Sequence, residues 1–438
     1  MDAKQTALES EHPLIVYMDF KSPYAWLALE PTLEMARELG ITVDWRPFVL
    51  DIPSYLGTAK LDRSGKVEQQ NRSAEQWSGV KYAYFDCRRY ANLRQLTVRG
   101  TTKIWDTGLA AIGMLWARRQ GEAILERYMK AVYEPFWKRE LDVEDLSVIR
   151  ETLRQAGADT TGFDDYALGP GAEENAALQT DAFDAGIFGV PTYLVNGEMY
   201  FGREHLPRIR WHLQGEQGPA PDIAYEHHGA ARSETSSTLE VTIDFANPEC
   251  WLALAPTLAL AEQCDINLDW QVLPSTPAKP TPAEPNPAAH ATQDDSRGSR
   301  HRRFRAAYRN HNTARYAPNT LSAIADKLDT RPACLGLLWL KHEAADQLPE
   351  YLRRVFEGIW IQGENYGTTT EIAALLRELG LDTDDFDEYA NTAGDVALEQ
   401  AQHRVMTQGV PGTPAYLLGE EPFLGRQHLP LIQDRLGF

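Results

Sequence analysis

The sequence predicts an α/β fold that occurs twice in one chain of 438 residues. Residues 19–29 recur as residues 244–254, and a second matching pair closes the two copies, at residues 202–207 and 425–430. At the start of each copy, two short apolar runs flank a stretch with apolar residues at helical spacing, which is the pattern of a β-α-β unit. The chain is therefore interpreted as a tandem duplication of one domain of about 200 residues, a common domain size.

The elements of the first copy can be predicted in order from their periodicity and turn residues. The opening β-α-β unit spans residues 14–20, 23–39 and 41–45. A block of helices follows at residues 104–119, 122–136, 143–156 and 174–185. Residues 192–195 and 198–201 then predict a hairpin, whose Asn196-Gly197 turn favours type I′ geometry, and a last helix begins near residue 204.

Composition predicts where the two domains begin and end. We expect a first domain at residues 1–213 and a second at residues 239–438, joined by a linker at 214–238 that is rich in Gly, Pro and Ser. A loop is predicted at 274–299, where residues 274–287 contain six prolines and cannot build a packed core.

The charge balance excludes several classes of partner. The chain has 43 Lys and Arg against 63 Asp and Glu, a formal net charge of −20, which disfavours nucleic acid and anionic membranes as partners. No segment has the apolar length of a membrane span, and the first residues lack the pattern of a secretion signal. The four cysteines lie far apart without metal-ligand spacing, so we expect a cytoplasmic protein without a zinc site or disulfide framework.

One short basic segment contrasts with this acidic chain. It contains seven arginines: Arg297, Arg300, Arg302, Arg303, Arg305, Arg309 and Arg315. The spacing of Arg302, Arg305 and Arg309 predicts a helix whose basic face is solvated or paired with acidic neighbours. An anion-binding site is the alternative interpretation.

The clearest functional signal follows the first predicted strand. Ser22 precedes Pro23 at the predicted start of a helix, so unpaired backbone N–H groups and the positive end of the helix dipole point at residue 22. Such a position stabilises a thiolate. Because residue 22 is a serine, the thiolate would belong to a bound cosubstrate and accept a hydrogen bond from the Ser22 hydroxyl, which makes glutathione the expected ligand.

Three stretches of the first copy carry a family resemblance: Asp19-Phe20-x-Ser22-Pro23-Tyr24-x-Trp26, the region from Tyr82 to Ala91, and residues 185–192. Both copies resemble the DsbA-like thioredoxin superfamily, and the first is similar to its 2-hydroxychromene-2-carboxylate isomerase and kappa-class glutathione transferase branch. The resemblance implies two tandem thioredoxin-like domains, each with a helical insertion.

The same resemblance implies a site. It places Ser22 against the sulfur of glutathione and the backbone of Val190 against its cysteinyl group, with Pro23 and Pro191 as neighbouring contacts. It also implies cis peptide bonds at Val190–Pro191 and at Thr413–Pro414 of the second copy. Relatives in this branch often work as homodimers, so we expect the two copies to pack as an intrachain pseudo-dimer.

These observations favour a glutathione-dependent isomerase or transferase acting on a small electrophilic compound, aromatic or not. Loss of the thiol after its addition would give isomerisation, and retention would give transfer. A non-catalytic binding or scaffold protein is the alternative. Thiol-disulfide exchange is disfavoured because neither copy has two cysteines at the required spacing.

The second copy is interpreted as degenerate. Asn247 replaces Ser22, and Glu249 adds a negative charge that would repel a thiolate. Cys250 is interpreted as an inert buried thiol, with a mono-thiol redox role as the alternative.

Several side chains have a structural and a functional interpretation. His205 and His428 occupy equivalent positions in the two copies, which favours a structural role over an acid-base role. Lys21, Arg89 and Arg203 are each interpreted as a solvated surface residue, with local charge for an anionic ligand as the alternative. The aromatic residues of the helical block predict a core, of which a few members could line a substrate pocket: Trp77, Tyr82, Tyr84, Phe85, Tyr90, Trp105, Tyr133, Phe136 and Trp137.

Overall fold

A computed structural model describes residues 6–61, 67–225, 237–274, 296–322, 328–407, 409 and 411–438, apart from the side chains of residues 61, 75 and 406. The chain divides into two compact units. Unit 1 consists of Met1–His228 and Asp295–Ala306, and unit 2 consists of Gly229–Asp294 and Ala307–Phe438.

Unit 1 contains a four-stranded mixed sheet with the order β2-β1-β5-β6. Its strands are β1 (Leu14–Met18), β2 (Val43–Pro47), β5 (Thr192–Val195) and β6 (Glu198–Phe201). The central strand β1 is parallel to β2 and antiparallel to β5, with Val16 opposite both Trp45 and Tyr193. All five residues of β1 are buried, as expected for a strand with neighbours on both edges and helices on its faces.

Helix α1 (Pro23–Leu39) leads from β1 to β2 and spans the residues that the sequence predicts. The Ser22 side chain caps its first turn, Pro23 occupies its first position, and Gly40 ends it with a left-handed φ of 64°. The fold therefore holds residue 22 at the point where the sheet meets a helix N-terminus.

The helical insertion of unit 1 is larger than predicted. It consists of α2 (Ile52–Leu56), α3 (Ala74–Leu93), α4 (Gly108–Arg118), α5 (Glu122–Trp137), α6 (Leu146–Gln155), α7 (Phe163–Leu168) and α8 (Pro170–Asp184), with the hairpin β3 (Ala59–Leu61) and β4 (Val67–Gln70). The four predicted helices correspond to α4, α5, α6 and α8 with shifted ends. Helices α2, α3 and α7 and the hairpin β3–β4 were not predicted. A 3₁₀ turn (Arg203–His205) and α9 (Leu206–Leu213) follow β6.

Unit 2 repeats the sheet with the order β10-β9-β7-β8. Its strands are β7 (Thr238–Ile243), β8 (Asn267–Val272), β9 (Ala415–Leu418) and β10 (Glu421–Leu424). Its helices are α10 (Pro248–Cys264), α11 (Arg297–Tyr316, whose first residues belong to unit 1), α12 (Arg331–Glu343), α13 (Leu348–Glu357), α14 (Thr369–Glu378), α15 (Phe386–Ala390), α16 (Ala393–Thr407) and α17 (Leu429–Leu436). The predicted α/β class with a helical insertion in each copy is confirmed.

Local predictions around the second hairpin of unit 1 are also confirmed. The turn residues Asn196 and Gly197 have φ values of 51° and 78°, as a type I′ turn requires. The Val190–Pro191 and Thr413–Pro414 bonds are both cis.

Two predicted irregular segments differ from the structure. In the predicted linker 214–238, residues 226–236 lie outside the described residues, but Tyr225 is buried in unit 1, where it contacts the Arg203 guanidinium. In the predicted loop 274–299, residues 275–295 lie outside the described residues, whereas Arg297 already begins α11. No described helix is both long and apolar enough to span a membrane.

Candidate active site

Ser22 lies at the end of β1 with its side chain almost fully buried, at 6% exposure. Its Oγ accepts a hydrogen bond from the backbone N–H of Ala25 at 3.2 Å, which caps α1. The same oxygen lies 3.5 Å from the carbonyl oxygen of Val190, the residue before the cis proline. The structure therefore brings together the two elements that the sequence predicts at the site, α1 and the Pro191 loop.

The Ser22 hydrogen is only weakly engaged. A hydroxyl normally donates over about 2.7–2.8 Å, so a separation of 3.5 Å from the Val190 oxygen is at the limit of a hydrogen bond. The hydroxyl can therefore turn towards an acceptor that lies just beyond the helix N-terminus. A thiolate at that position would meet the Ser22 O–H and the positive end of the α1 dipole.

A buried carboxylate fixes the backbone before Ser22. Asp19 accepts hydrogen bonds from the Thr107 hydroxyl at 2.6 Å and from the Leu50 N–H at 2.7 Å. Its charge is balanced by Lys21, whose Nζ lies 3.6 Å away, and both side chains are buried. The backbone N–H of Ser22 donates to the Asp19 carbonyl at 3.1 Å. Asp19 thus acts as a positioning residue that ties β1, α4 and the segment after β2 together.

Tyr24 extends the site towards α3. Its hydroxyl donates to Asp86 at 3.4 Å, and the other oxygen of that carboxylate pairs with Arg89 at 3.2 Å. Burial, and then nearby acidic groups, raises the pKa of Tyr24 well above its ordinary value, so the phenol stays neutral. Arg89, a candidate for binding an anionic ligand, is committed to Asp86 instead. Arg203, a second candidate, stacks over the ring of Tyr225 with a separation of 3.8 Å. Lys21, Arg89 and Arg203 are all buried, so their interpretation as solvated surface residues is wrong.

A cavity of about 540 Å³ opens beside these residues. Ser22, Pro23 and Tyr24 form one part of its wall, and α3 and the segment before α4 form others. Besides Tyr24, three aromatic side chains line it: Trp77, Tyr84 and Trp105. Six cationic side chains line it: Lys21, Arg72, Lys81, Arg88, Lys103 and Arg139. No carboxylate occurs among the described lining residues.

Backbone carbonyls hold three of these cations in place. The guanidinium Nε atoms of Arg72 and Arg88 each lie 3.2 Å from a carbonyl oxygen, and that of Arg139 lies 2.7 Å from the carbonyl of Gly100. A carbonyl accepts a hydrogen bond without cancelling the charge of the donor, so the cavity wall remains positive. Lys21 and Lys103 differ because they pair with Asp19 and Glu144, although the Lys103 Nζ also lies 4.2 Å from the centre of the Trp105 ring.

The family model of the DSBA-like thioredoxin domain matches this chain twice, at residues 13–214 and 238–437. The chain belongs to the DSBA-like thioredoxin family. Over 200 residues it is 28% identical to the 2-hydroxychromene-2-carboxylate isomerase of Sphingobium xenophagum. This alignment covers 45% of this chain and 95% of that protein. The isomerase of the same name from Pseudomonas sp. (strain C18) is 27% identical over 213 residues, covering 47% and 90%.

Among solved structures, a 2-hydroxychromene-2-carboxylate isomerase is similar with 18% identity and a TM-score of 0.36. The match covers 46% of this chain and 94% of the isomerase. Each of these matches spans the length of about one DSBA-like domain of the duplicated chain.

In the second DSBA-like domain, the groups at the N-terminus of α10 are already bonded to side chains of that domain. Asn247, which replaces Ser22, caps α10 and donates from Nδ2 to the carbonyl of Thr413 at 2.6 Å. Glu249 accepts from the Thr313 hydroxyl at 3.0 Å and pairs with Arg426. The carbonyl before the second cis proline is therefore already bonded, and a carboxylate lies in the first turn of α10.

The cysteines of this DSBA-like chain are all free and buried. Burial raises the pKa of Cys250 to about 12, which keeps the thiol protonated and agrees with its interpretation as inert. His205 and His428 are also buried, each in a 3₁₀ turn before the last helix of its copy. Sequence reasoning missed the Asp19–Thr107 and Tyr24–Asp86 contacts, because they join residues far apart in the chain.

Proposed function

We propose that unit 1 is a glutathione-dependent isomerase or transferase for a small electrophilic compound that carries an aromatic ring and a negative charge. The observation that supports this best is the position of Ser22. Its hydroxyl lies at the N-terminus of α1, opposite the Val190 carbonyl and at the wall of a cavity lined by cations and aromatic rings.

The residues around Ser22 fit glutathione. Ser22 would donate to the sulfur, since its present acceptor lies 3.5 Å away, and the Val190 backbone would pair with the cysteinyl group. Pro23 and Pro191 would shape the contact on either side. When bound, glutathione would supply a nucleophilic thiolate next to the cavity. Reduced glutathione belongs to the cytoplasm, which is where we place this activity.

The chain's own residues would prepare that nucleophile and its target. The Ser22 hydroxyl and the α1 dipole both stabilise negative charge on sulfur, so they lower the pKa of a bound thiol. The Asp19 contacts hold the turn that carries Ser22. Tyr24 stays neutral and lines the cavity, while its hydroxyl donates to Asp86 and so anchors the residue beside Ser22.

The cavity defines the class of substrate. Its volume of about 540 Å³ lies within the usual range for small-molecule sites. Trp77, Tyr84 and Trp105 offer flat apolar surfaces to an aromatic ring. The cations favour a carboxylate, a group that the names of the curated relatives include for their own substrate.

The test is turnover of 2-hydroxychromene-2-carboxylate, followed by its ultraviolet spectrum with and without reduced glutathione. We expect conversion only when glutathione is present. The methyl ester of the same compound is the matched control, and we expect a lower kcat/KM for it because it lacks the charge that the cavity cations bind. Conversion at the same rate without glutathione would contradict the proposal.

A further inference from the structure

The first turns of α11 belong to unit 1, although they follow the second β-α-β unit in sequence. His301 stacks on the ring of Tyr55, with centroids 4.0 Å apart and planes inclined by 3°. One turn earlier, Arg297 pairs with Asp51 at 3.3 Å. One face of residues 296–306 therefore packs against α2.

Further contacts fix this segment in one position. The backbone of Gly298 lies so close to α2 that an added Cβ would be 2.4 Å from the carbonyl oxygen of Ser54. On the side towards α8, Arg300 pairs with Asp184 at 2.6 Å, and Phe304 packs edge-on against Phe183 at 5.5 Å. The segment thus has polar, aromatic and backbone contacts with unit 1.

The segment lies next to both walls of the proposed glutathione position. The His301 ring contacts Phe188 at 5.8 Å, and Phe188 is two residues before Val190. On the other side, the helix that carries Tyr55 also carries Ile52 and Leu56, which line the cavity. A tripeptide paired with the Val190 backbone would therefore extend beside residues 296–306.

Arg305 is the cation that this arrangement presents. It lies one helical turn after His301 and so shares the face that packs on unit 1, but its own side chain is exposed. Burial, and then the Arg305 charge, lowers the pKa of His301 to about 4, so the imidazole is neutral at pH 7 and contributes its ring rather than a charge.

We propose that residues 296–306 form a wall of the glutathione site in unit 1, and that Arg305 binds a carboxylate of glutathione. This inference rests on the proposed function. Its physical basis is that glutathione carries two carboxylates, whereas the chain has a net charge of −20, so the ligand needs local cations at its binding site. The contacts of Gly298 with Ser54 and of His301 with Tyr55 hold the helix that carries Arg305 beside the proposed glutathione position.

The test is calorimetry of glutathione binding to the full chain and to Arg305→Gln. We expect the variant to bind glutathione roughly tenfold or more weakly, the loss of one hydrogen bond to a charged group. The matched control is Arg303→Gln, an exposed arginine on the opposite side of the same helix, whose affinity should equal that of the wild type. Glutathione diester, which has no free carboxylate, should bind wild type and Arg305→Gln equally.

The outcomes separate this inference from the function on which it rests. If wild type binds glutathione but Arg305→Gln binds it equally well, the inference is wrong and the proposed function stands. If wild type does not bind glutathione, both are wrong. A Gly298→Val variant tests whether residues 296–306 form a wall of the site, because its Cβ would push this segment away from α2. If folded Gly298→Val binds glutathione with the affinity of the wild type, the segment is not part of the site.

Discussion

At Ser22 one hydroxyl has two tasks, which differ in what they stabilise. As an acceptor it caps α1 through Ala25, and as a donor it faces Val190 and the proposed position of the sulfur. In the second copy Asn247 performs the first task, because its Oδ1 accepts from the Glu249 N–H. Its Nδ2 already donates to the Thr413 carbonyl. The two residues therefore form a natural pair for separating capping from ligand binding.

Ser22→Ala should weaken glutathione binding and leave the fold intact. Removing one hydrogen bond to a charged sulfur costs roughly 1.5–3 kcal/mol of binding free energy and raises the pKa of the bound thiol. Loss of the cap lowers the free energy of unfolding by about 1 kcal/mol. Calorimetry with glutathione measures the first effect, and urea unfolding measures the second.

The matched control for Ser22 is Asn247→Ala. It removes the cap of α10 and should lower stability by a similar amount, about 1 kcal/mol, while leaving the affinity for glutathione unchanged. Equal glutathione affinity in wild type and Ser22→Ala would remove the basis for assigning the sulfur contact to Ser22.

A second residue pair concerns stability. Asp44 is buried and accepts from the Arg46 guanidinium at 2.6 Å, and Arg118 lies 2.7 Å from its other oxygen. Burial alone would raise the pKa of the Asp44 carboxyl, but the hydrogen bond from Arg46 and the charge of Arg118 outweigh it and hold the pKa below its ordinary value. In the second copy Asp269 pairs with Lys341 at 2.6 Å in a more exposed setting.

Asp44→Asn should lower the free energy of unfolding by about 3–5 kcal/mol, because it leaves the buried Arg46 charge uncompensated. Asp269→Asn, the control at the equivalent strand position, should cost about 1 kcal/mol or less. Urea midpoints at pH 7 measure both.

The Asp44 contribution should also depend on pH with a definite sign. Because the folded pKa is below the unfolded value of about 3.9, the stabilisation is complete above pH 4 and is lost as the pH falls through the folded pKa. The difference between wild type and Asp44→Asn should therefore shrink in acid. A difference that stays constant from pH 7 to below pH 3 would contradict this account.

Single helices and strands could be predicted where capping or turn residues mark their ends in the sequence. Helix α1 and the hairpin β5–β6 agree with the sequence to the residue, since Ser22-Pro23, Gly40 and Asn196-Gly197 mark their boundaries within a few positions. Helix α3 was missed, although Ser73 and Gln76 form a capping box that marks its start. Its aromatic residues are divided between core and surface: Tyr82 and Tyr90 are buried, whereas Phe85 is 42% exposed.

Packing between distant segments could not be predicted from the sequence. The spacing of Arg302, Arg305 and Arg309 predicts a helix, and these residues lie in α11. The predicted pairing with acidic neighbours is seen in the first turn of α11, where Arg297 and Arg300 pair with Asp51 and Asp184. Nothing in that spacing specifies Tyr55 or Phe188 as its neighbours. The cavity could not be predicted for the same reason, because its cations come from four separate stretches of chain.

Across the whole molecule, duplication has given two copies of one sheet with different helix termini. The cavity beside Ser22 is lined by cations within an acidic chain, so the cavity would attract the proposed anionic substrate although the chain as a whole would repel it. The equivalent terminus of α10 carries Glu249, bonded to Thr313 and paired with Arg426. The pseudo-dimer of the two copies stays a prediction.

The full chain should therefore bind about one glutathione molecule. In unit 2 the Thr413 carbonyl is occupied by Asn247, and the Glu249 carboxylate would repel a thiolate at the start of α10. Calorimetric titration of the wild type measures the stoichiometry, and Ser22→Ala should weaken this single site without revealing another. A stoichiometry of two, or a site of unchanged affinity in Ser22→Ala, would show that the second copy binds glutathione despite Asn247 and Glu249.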